Sequence, residues 1–110
     1  MVTNLLAVLP VAEFVPALDW YERLLGQPPD VFPLADERLA EWQLTDSAGI
    51  QVVDDPGRAG TAQVTVAVDD LDKARAGLSA RGLRVGGGPG TATVTDPAGN
   101  VITFAGVTAP

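Results

Sequence analysis

The sequence predicts a single α+β domain made of two copies of one pattern, each a strand, a helix and two or three further strands. Three observations carry this. The run Val11-Ala-Glu-Phe-Val-Pro-Ala-Leu-Asp-Trp-Tyr-Glu-Arg-Leu-Leu-Gly26 is echoed 57 residues later by Val68 to Gly82: a strand end, an acidic residue, a helical stretch and a glycine. Thr45-Asp-Ser-Ala-Gly49 is echoed 50 residues later by Thr95-Asp-Pro-Ala-Gly99, and each is followed by an apolar strand. At the start of the second copy, Val64, Val66 and Val68 alternate with Gln63, Thr65 and Ala67, the period of a strand with one buried face.

In chain order, residues 5–9 read as a strand. A helix follows in which Phe14, Leu18, Tyr21 and Leu25 form one apolar stripe. Pro16 suits its first turn and Gly26 its left-handed stop. Tyr21 belongs to the stripe, whereas Trp20 falls beside it and is expected at a subunit interface or on the surface. Gln27-Pro-Pro-Asp30 is a loop. Residues 39–46 and 49–54 read as a hairpin turning near Ser47-Ala-Gly49, and Asp54 to Gly60 is the joint between halves. After the strand at 62–68, Asp69 or Asp70 caps a second helix whose stripe is Leu71, Ala74 and Leu78 and whose end is Gly82. Gly86-Gly-Gly-Pro-Gly90 is a flexible connection, with no helix start or Lys-Ser/Thr behind it to make a phosphate cradle. Residues 91–95 and 100–105 form the last hairpin, where Asp96 and Asn100 are expected as turn residues.

Composition excludes several chemistries. The 110 residues include no histidine and no cysteine, which removes Ser-His-Asp triads, imidazole acid/base or metal ligation, thiol nucleophiles and Cys-rich zinc sites. Seven Lys and Arg against fourteen Asp and Glu give a net charge of −7. The scattered basic residues speak against a nucleic-acid partner. No apolar run reaches the roughly 20 residues that span a bilayer, and the opening residues lack a basic leader, so a soluble, cytoplasmic protein without a membrane partner is expected.

Four short motifs in order carry a resemblance: Leu9-Pro-Val-Ala-Glu13, Trp20-Tyr-Glu-Arg-Leu-Leu-Gly26, Val68-Asp-Asp-Leu-Asp-Lys-Ala74 and Asp96-Pro-Ala-Gly-Asn-Val-Ile-Thr103. Together they resemble the vicinal oxygen chelate superfamily, which includes glyoxalase I, bleomycin-resistance proteins and extradiol dioxygenases. The resemblance implies one domain over residues 1–110, with βαβββ modules at about 4–56 and 61–106. The modules would form a curved, partly open mixed sheet around a cleft, helices on the outer face. Metal enzymes of this family place His, Gln or Glu ligands on the first and last strands of each module. Here those positions map onto Leu6, Gln63 and Thr103, with Gln51 or Val53 as the fourth. Leu6 has no donor atom and Thr103 is a poor neutral one, so neither metal nor other cofactor is expected, and no catalytic residue is assigned.

Strand alternation sends a small, neutral and polar set toward the cleft, Gln51 (or Val53 in the other register), Gln63, Thr65 and Thr103, with Glu41 and Gln43 at the side. Trp42 is either core under the first helix or an aromatic wall of the pocket, and is included in the candidate lining. The expectation is a metal-free protein that binds a small organic ligand, of resistance or sequestration type, as a homodimer. The alternatives are a metal-dependent lyase, isomerase or dioxygenase of the same superfamily, for which Glu41 would have to supply a ligand, and a non-catalytic dimerising interaction protein.

Overall fold

The computed structural model describes residues 1–32 and 38–106. Among them the order is β1 (Leu5–Val11), α1 (Phe14–Leu25), β2 (Leu39–Thr45), β3 (Ala48–Asp54), β4 (Gln63–Val68), α2 (Leu71–Ala80), β5 (Thr91–Thr95) and β6 (Val101–Gly106). The duplication is spatial as well as sequential. Each half builds a mixed three-stranded sheet with its first strand at one edge, its last in the centre and its middle strand at the other edge: β1-β3-β2 and β4-β6-β5. The first and last strands pair in parallel and the hairpin pairs antiparallel. A further strand of each module is reduced to one bridging residue, Val31 against Glu41 and Gly86 against Thr93. The βαβββ plan is therefore present in both halves, and the two sheets do not close into one barrel.

Local chemistry explains the element ends. Gly26 adopts φ 72°, and its N–H bonds the carbonyl of Glu22 to stop α1. Asp70, not Asp69, caps α2, its carboxylate accepting the N–H of Lys73. β1 continues through Pro10 to Val11, two residues beyond the expected strand, because an edge strand tolerates the missing N–H. The first hairpin turns on Asp46-Ser47, one residue earlier than expected, and β3 starts at Ala48.

One core underlies both modules. It takes Leu9 and Val11 from β1, Ala40 and Trp42 from β2, Ile50 and Val52 from β3, and Ala92, Val94, Ile102 and Phe104 from the second sheet. Helix α1 covers β3 and α2 covers β5 and β6. The buried face of α1 is Phe14, Ala17, Trp20, Tyr21 and Leu24, with Leu18 and Leu25 only half-buried. Two expectations change here. The stripe is rotated toward Ala17 and Leu24, and Trp20 is 8% exposed, packed edge-on against Tyr21 with ring centroids 4.8 Å apart. Neither shift follows from the spacing within the helix, because the second module helps to bury this face.

The modules are joined by a polar latch. Asp96 and Asn100, expected as plain turn residues, are 4% and 0% exposed. Asp96 Oδ1 accepts the N–H groups of Ala98, Gly99 and Asn100, which is the turn. Its Oδ2 accepts the Tyr21 hydroxyl at 2.7 Å and the Asn100 amide at 2.8 Å. Asn100 Nδ2 also donates to the Pro10 carbonyl at 2.7 Å, and its Oδ1 accepts the Ala62 N–H at 3.0 Å. The turn of the second half thereby holds the helix, the first strand and the inter-module joint. Burial, reinforced by the carboxylate it bonds, pushes the Tyr21 phenol well above its ordinary range. On the other side, Arg81 donates from beyond α2 to the carbonyls of Arg23 and Leu24, closing the last turn of α1.

Candidate functional site

Strand alternation divides each sheet into a helix-covered face and an open one. On the first sheet the open face carries Leu6, Val8, Leu39, Glu41, Gln43, Gly49, Gln51 and Val53 in rows set by the pairing: Leu6 with Gly49, Val8 with Gln51, Glu41 with Gln51, and Leu39 with Val53. On the second, Gln63 stands with Val101, and Thr65, Thr103 and Thr93 form one row. Glu41, Gln43, Gln51, Val53, Gln63, Thr65 and Thr103 thus all lie on open faces, exposed or half-buried.

Trp42 does not join them. It is 0% exposed on the opposite face, stacks near Tyr21 and donates its indole N–H to the Gln27 carbonyl at 2.9 Å. The open reading of this residue resolves to core, and it is removed from the candidate lining. Gln43 is held in a different way. Its amide exchanges two hydrogen bonds with Asn4 and donates to the Thr45 and Ala48 carbonyls, so its side chain secures the hairpin end and the chain preceding β1.

The register also decides between Gln51 and Val53. Val11 pairs with Asp54 and Val68 with Gly106, so β3 and β6 match at Gln51 and Thr103. The sequence left this open because the two turns differ in length: Thr45 pairs with Ala48 across a two-residue turn, whereas Thr95 pairs with Val101 across five residues.

These four positions give a direct test of whether the residues fit a metal. Leu6 offers no donor. Gln51 turns its Nε2 to Glu41 Oε1 at 2.8 Å, Gln63 is exposed, and the Thr103 hydroxyl lies 3.4 Å from that of Thr93. A divalent ion needs several anionic or imidazole donors converging on one point. Among the described residues no group of three or more Asp, Glu, His or Cys side chains converges in this way. The donor set does not fit the ion.

The strands' open faces are instead suited to neutral polar contact around a single charged strand residue. The strands contain no Lys or Arg, and their only acidic residues are Glu41 and Asp54. Asp54 is paired with Arg38 at 3.0 Å. Thr65 additionally borders a cavity of about 320 Å³ between the edges of β1 and β4, whose walls include Leu5, Ala7, Leu44, Ile50, Val64 and Val66. Sequence reasoning missed this cavity, because its walls are helix-side residues that neither helix covers.

Comparison with known proteins agrees with this architecture. The chain is similar to a glyoxalase / bleomycin resistance protein from Catenulispora acidiphila DSM 44928: 36% identity over 96% of this chain and 99% of that one, with a TM-score of 0.89. It is similar to TnmS3, an antibiotic binding protein from Streptomyces sp. CB03234, at 27% identity over 98% of each chain, TM-score 0.78. In fold it also matches a bleomycin-binding protein solved with bleomycin, at 18% identity, covering 96% of this chain and 98% of that one, TM-score 0.73. A search of curated proteins found no match. Residues 5–104 match the family model of the Glyoxalase/Bleomycin resistance protein/Dioxygenase superfamily, and the chain belongs to that superfamily.

Proposed function

We propose that this protein binds a small organic molecule on the open sheet faces without a resident metal, as a homodimer, and acts by sequestering its ligand rather than transforming it. The observation that carries the reading is the donor set at the four matched strand positions: Leu6, Gln51, Gln63 and Thr103 supply no anionic or imidazole ligand, yet three of them can form hydrogen bonds. Sites for organic ligands use a few oriented polar groups beside apolar surface, and the open faces have that composition: Gln51 beside Val8 on the first sheet, and Thr65 and Thr103 in one row on the second. The similarity to an antibiotic binding protein over nearly the whole chain supports the same class of activity.

The test pairs metal analysis with ligand screening. Protein purified without chelator is expected to contain no stoichiometric metal, and Ni²⁺, Zn²⁺, Mn²⁺ and Fe²⁺ are expected to leave its melting temperature unchanged. A panel of small organic compounds, bleomycin among them, is expected to include members that raise the melting temperature and bind saturably by calorimetry. Stoichiometric metal whose removal lowers the melting temperature by several degrees overturns the metal-free reading. Sedimentation equilibrium checks the dimer.

A further inference from the structure

One row across the first sheet runs Val8, Gln51, Glu41, Val31, fixed by strand pairing and by the bridge between Val31 and Glu41. Its outer members are valines, 48% and 46% exposed, and its inner pair is half-buried. The Gln51 amide donates to Glu41 Oε1 at 2.8 Å, which fixes both side chains and settles which way the amide points. What the pair then presents is mostly acceptor: Glu41 Oε2, the Gln51 carbonyl oxygen and a single remaining amide N–H.

The charge around the row points the same way. Among the described residues Glu41 is the only charged strand residue on an open face, and the neighbouring Asp30, whose carboxylate accepts the Gln43 N–H at 2.7 Å, is acidic as well. An anion placed here would meet an uncompensated carboxylate. A cation would meet a fixed, partly desolvated one, where the attraction exceeds that between exposed groups in bulk water. The flanking valines give apolar contact to whatever carries the charge.

We propose that the Glu41–Gln51 pair is the recognition point for a protonated amine or amidinium borne on an apolar body, with Val8 and Val31 as the apolar walls. This rests on the binding function proposed above and names the ligand chemistry of that face.

Two probes of equal ring size and opposite charge test it, benzamidinium and benzoate, each titrated into ¹⁵N-labelled protein. Benzamidinium is expected to move the amide signals of Val8, Val31, Glu41 and Gln51 saturably, with an affinity at least about tenfold above that of benzoate, and to weaken as salt is added. The variant Glu41→Gln, which keeps a partner oxygen for Gln51, is expected to fold normally and lose the preference. Equal or tighter benzoate binding at this row, an unchanged preference in Glu41→Gln, or silence of both probes here overturns the proposal. If a neutral or anionic compound from the panel occupies this row, the cation preference fails and the binding reading stands. If no compound perturbs either open face, both fail.

Discussion

Replacing Asn100 with alanine is the most direct test of the latch between modules. The substitution removes three hydrogen bonds at once: to the Pro10 carbonyl at 2.7 Å, to Asp96 Oδ2 at 2.8 Å and from the Ala62 N–H at 3.0 Å. Leaving a buried polar group without its partner costs about 1–3 kcal/mol, and more where a charge is involved. The buried Pro10 carbonyl and the Asp96 carboxylate carry most of the loss. Ala62 is half-buried, so water can reach its N–H and reduce that part. Asp96 also keeps the Tyr21 hydroxyl, which limits the damage. The expected total is roughly 3–5 kcal/mol of destabilisation. At about 4 °C per kcal/mol this lowers the melting temperature by roughly 12–20 °C. Urea unfolding followed by tryptophan fluorescence, extrapolated linearly to water, measures it. Should the variant unfold on its own, Tyr21→Phe removes only the 2.7 Å hydroxyl bond and is expected to cost roughly 1–3 kcal/mol. An exposed turn asparagine would cost under about 1 kcal/mol. A measured loss that small for Asn100→Ala refutes the latch and returns the residue to an ordinary turn.

Tyr21 also predicts an alkaline weakness. Its folded pKa is raised, by burial first and then by Asp96, so between the ordinary phenol value near 10 and the raised one the unfolded chain loses a proton that the folded chain keeps. Stability from this group is intact below pH 10 and falls above it, by about 1.4 kcal/mol per pH unit. Urea midpoints at pH 9, 10 and 11 should therefore fall more steeply for the wild type than for Tyr21→Phe, and parallel curves would contradict the assignment. At the inter-module joint Gly60 has φ 82°, and a Cβ there would collide with the Ala98 carbonyl. Gly60→Ala is expected to cost roughly 2–4 kcal/mol in chemical denaturation, whereas Gly57→Ala, where a Cβ meets only ordinary contacts, stays within about 0.5 kcal/mol.

The sequence made the repeat and most elements readable because the signals are local. Alternation in β4, the left-handed stop at Gly26 and the capping aspartate before α2 each need only neighbouring residues. The family resemblance rested on four such motifs, and the family model covers residues 5–104. What was hidden depends on contacts distant in sequence. Asp96 and Asn100 are chemically ideal turn residues, so nothing in their neighbourhood marks them as partners of Tyr21 and Pro10, 75 and 90 positions away. Trp42 shares its alternation class with Leu44, which placed it off the polar face, but only its contacts with Tyr21 and Gln27 exclude it from the lining. The choice between Gln51 and Val53 turned on the unequal lengths of two hairpin turns, which strand pairing reveals and motif counting does not.

The latch has a consequence for the duplication itself. The first half contributes a phenol and a proline carbonyl, and the second contributes the carboxylate and the amide. The sequence echo of Asp96 in the first half is Asp46, which is exposed, and the residue after that turn's glycine is Ile50 where the other has Asn100. The helix position echoing Tyr21 is Leu78, which has no hydroxyl to give. Neither half can therefore make the complete joint with a copy of itself. Although the two halves share one architecture, their side chains are complementary: a chain assembled from two first halves would lack the carboxylate and the amide, and one from two second halves would lack the phenol that the carboxylate binds.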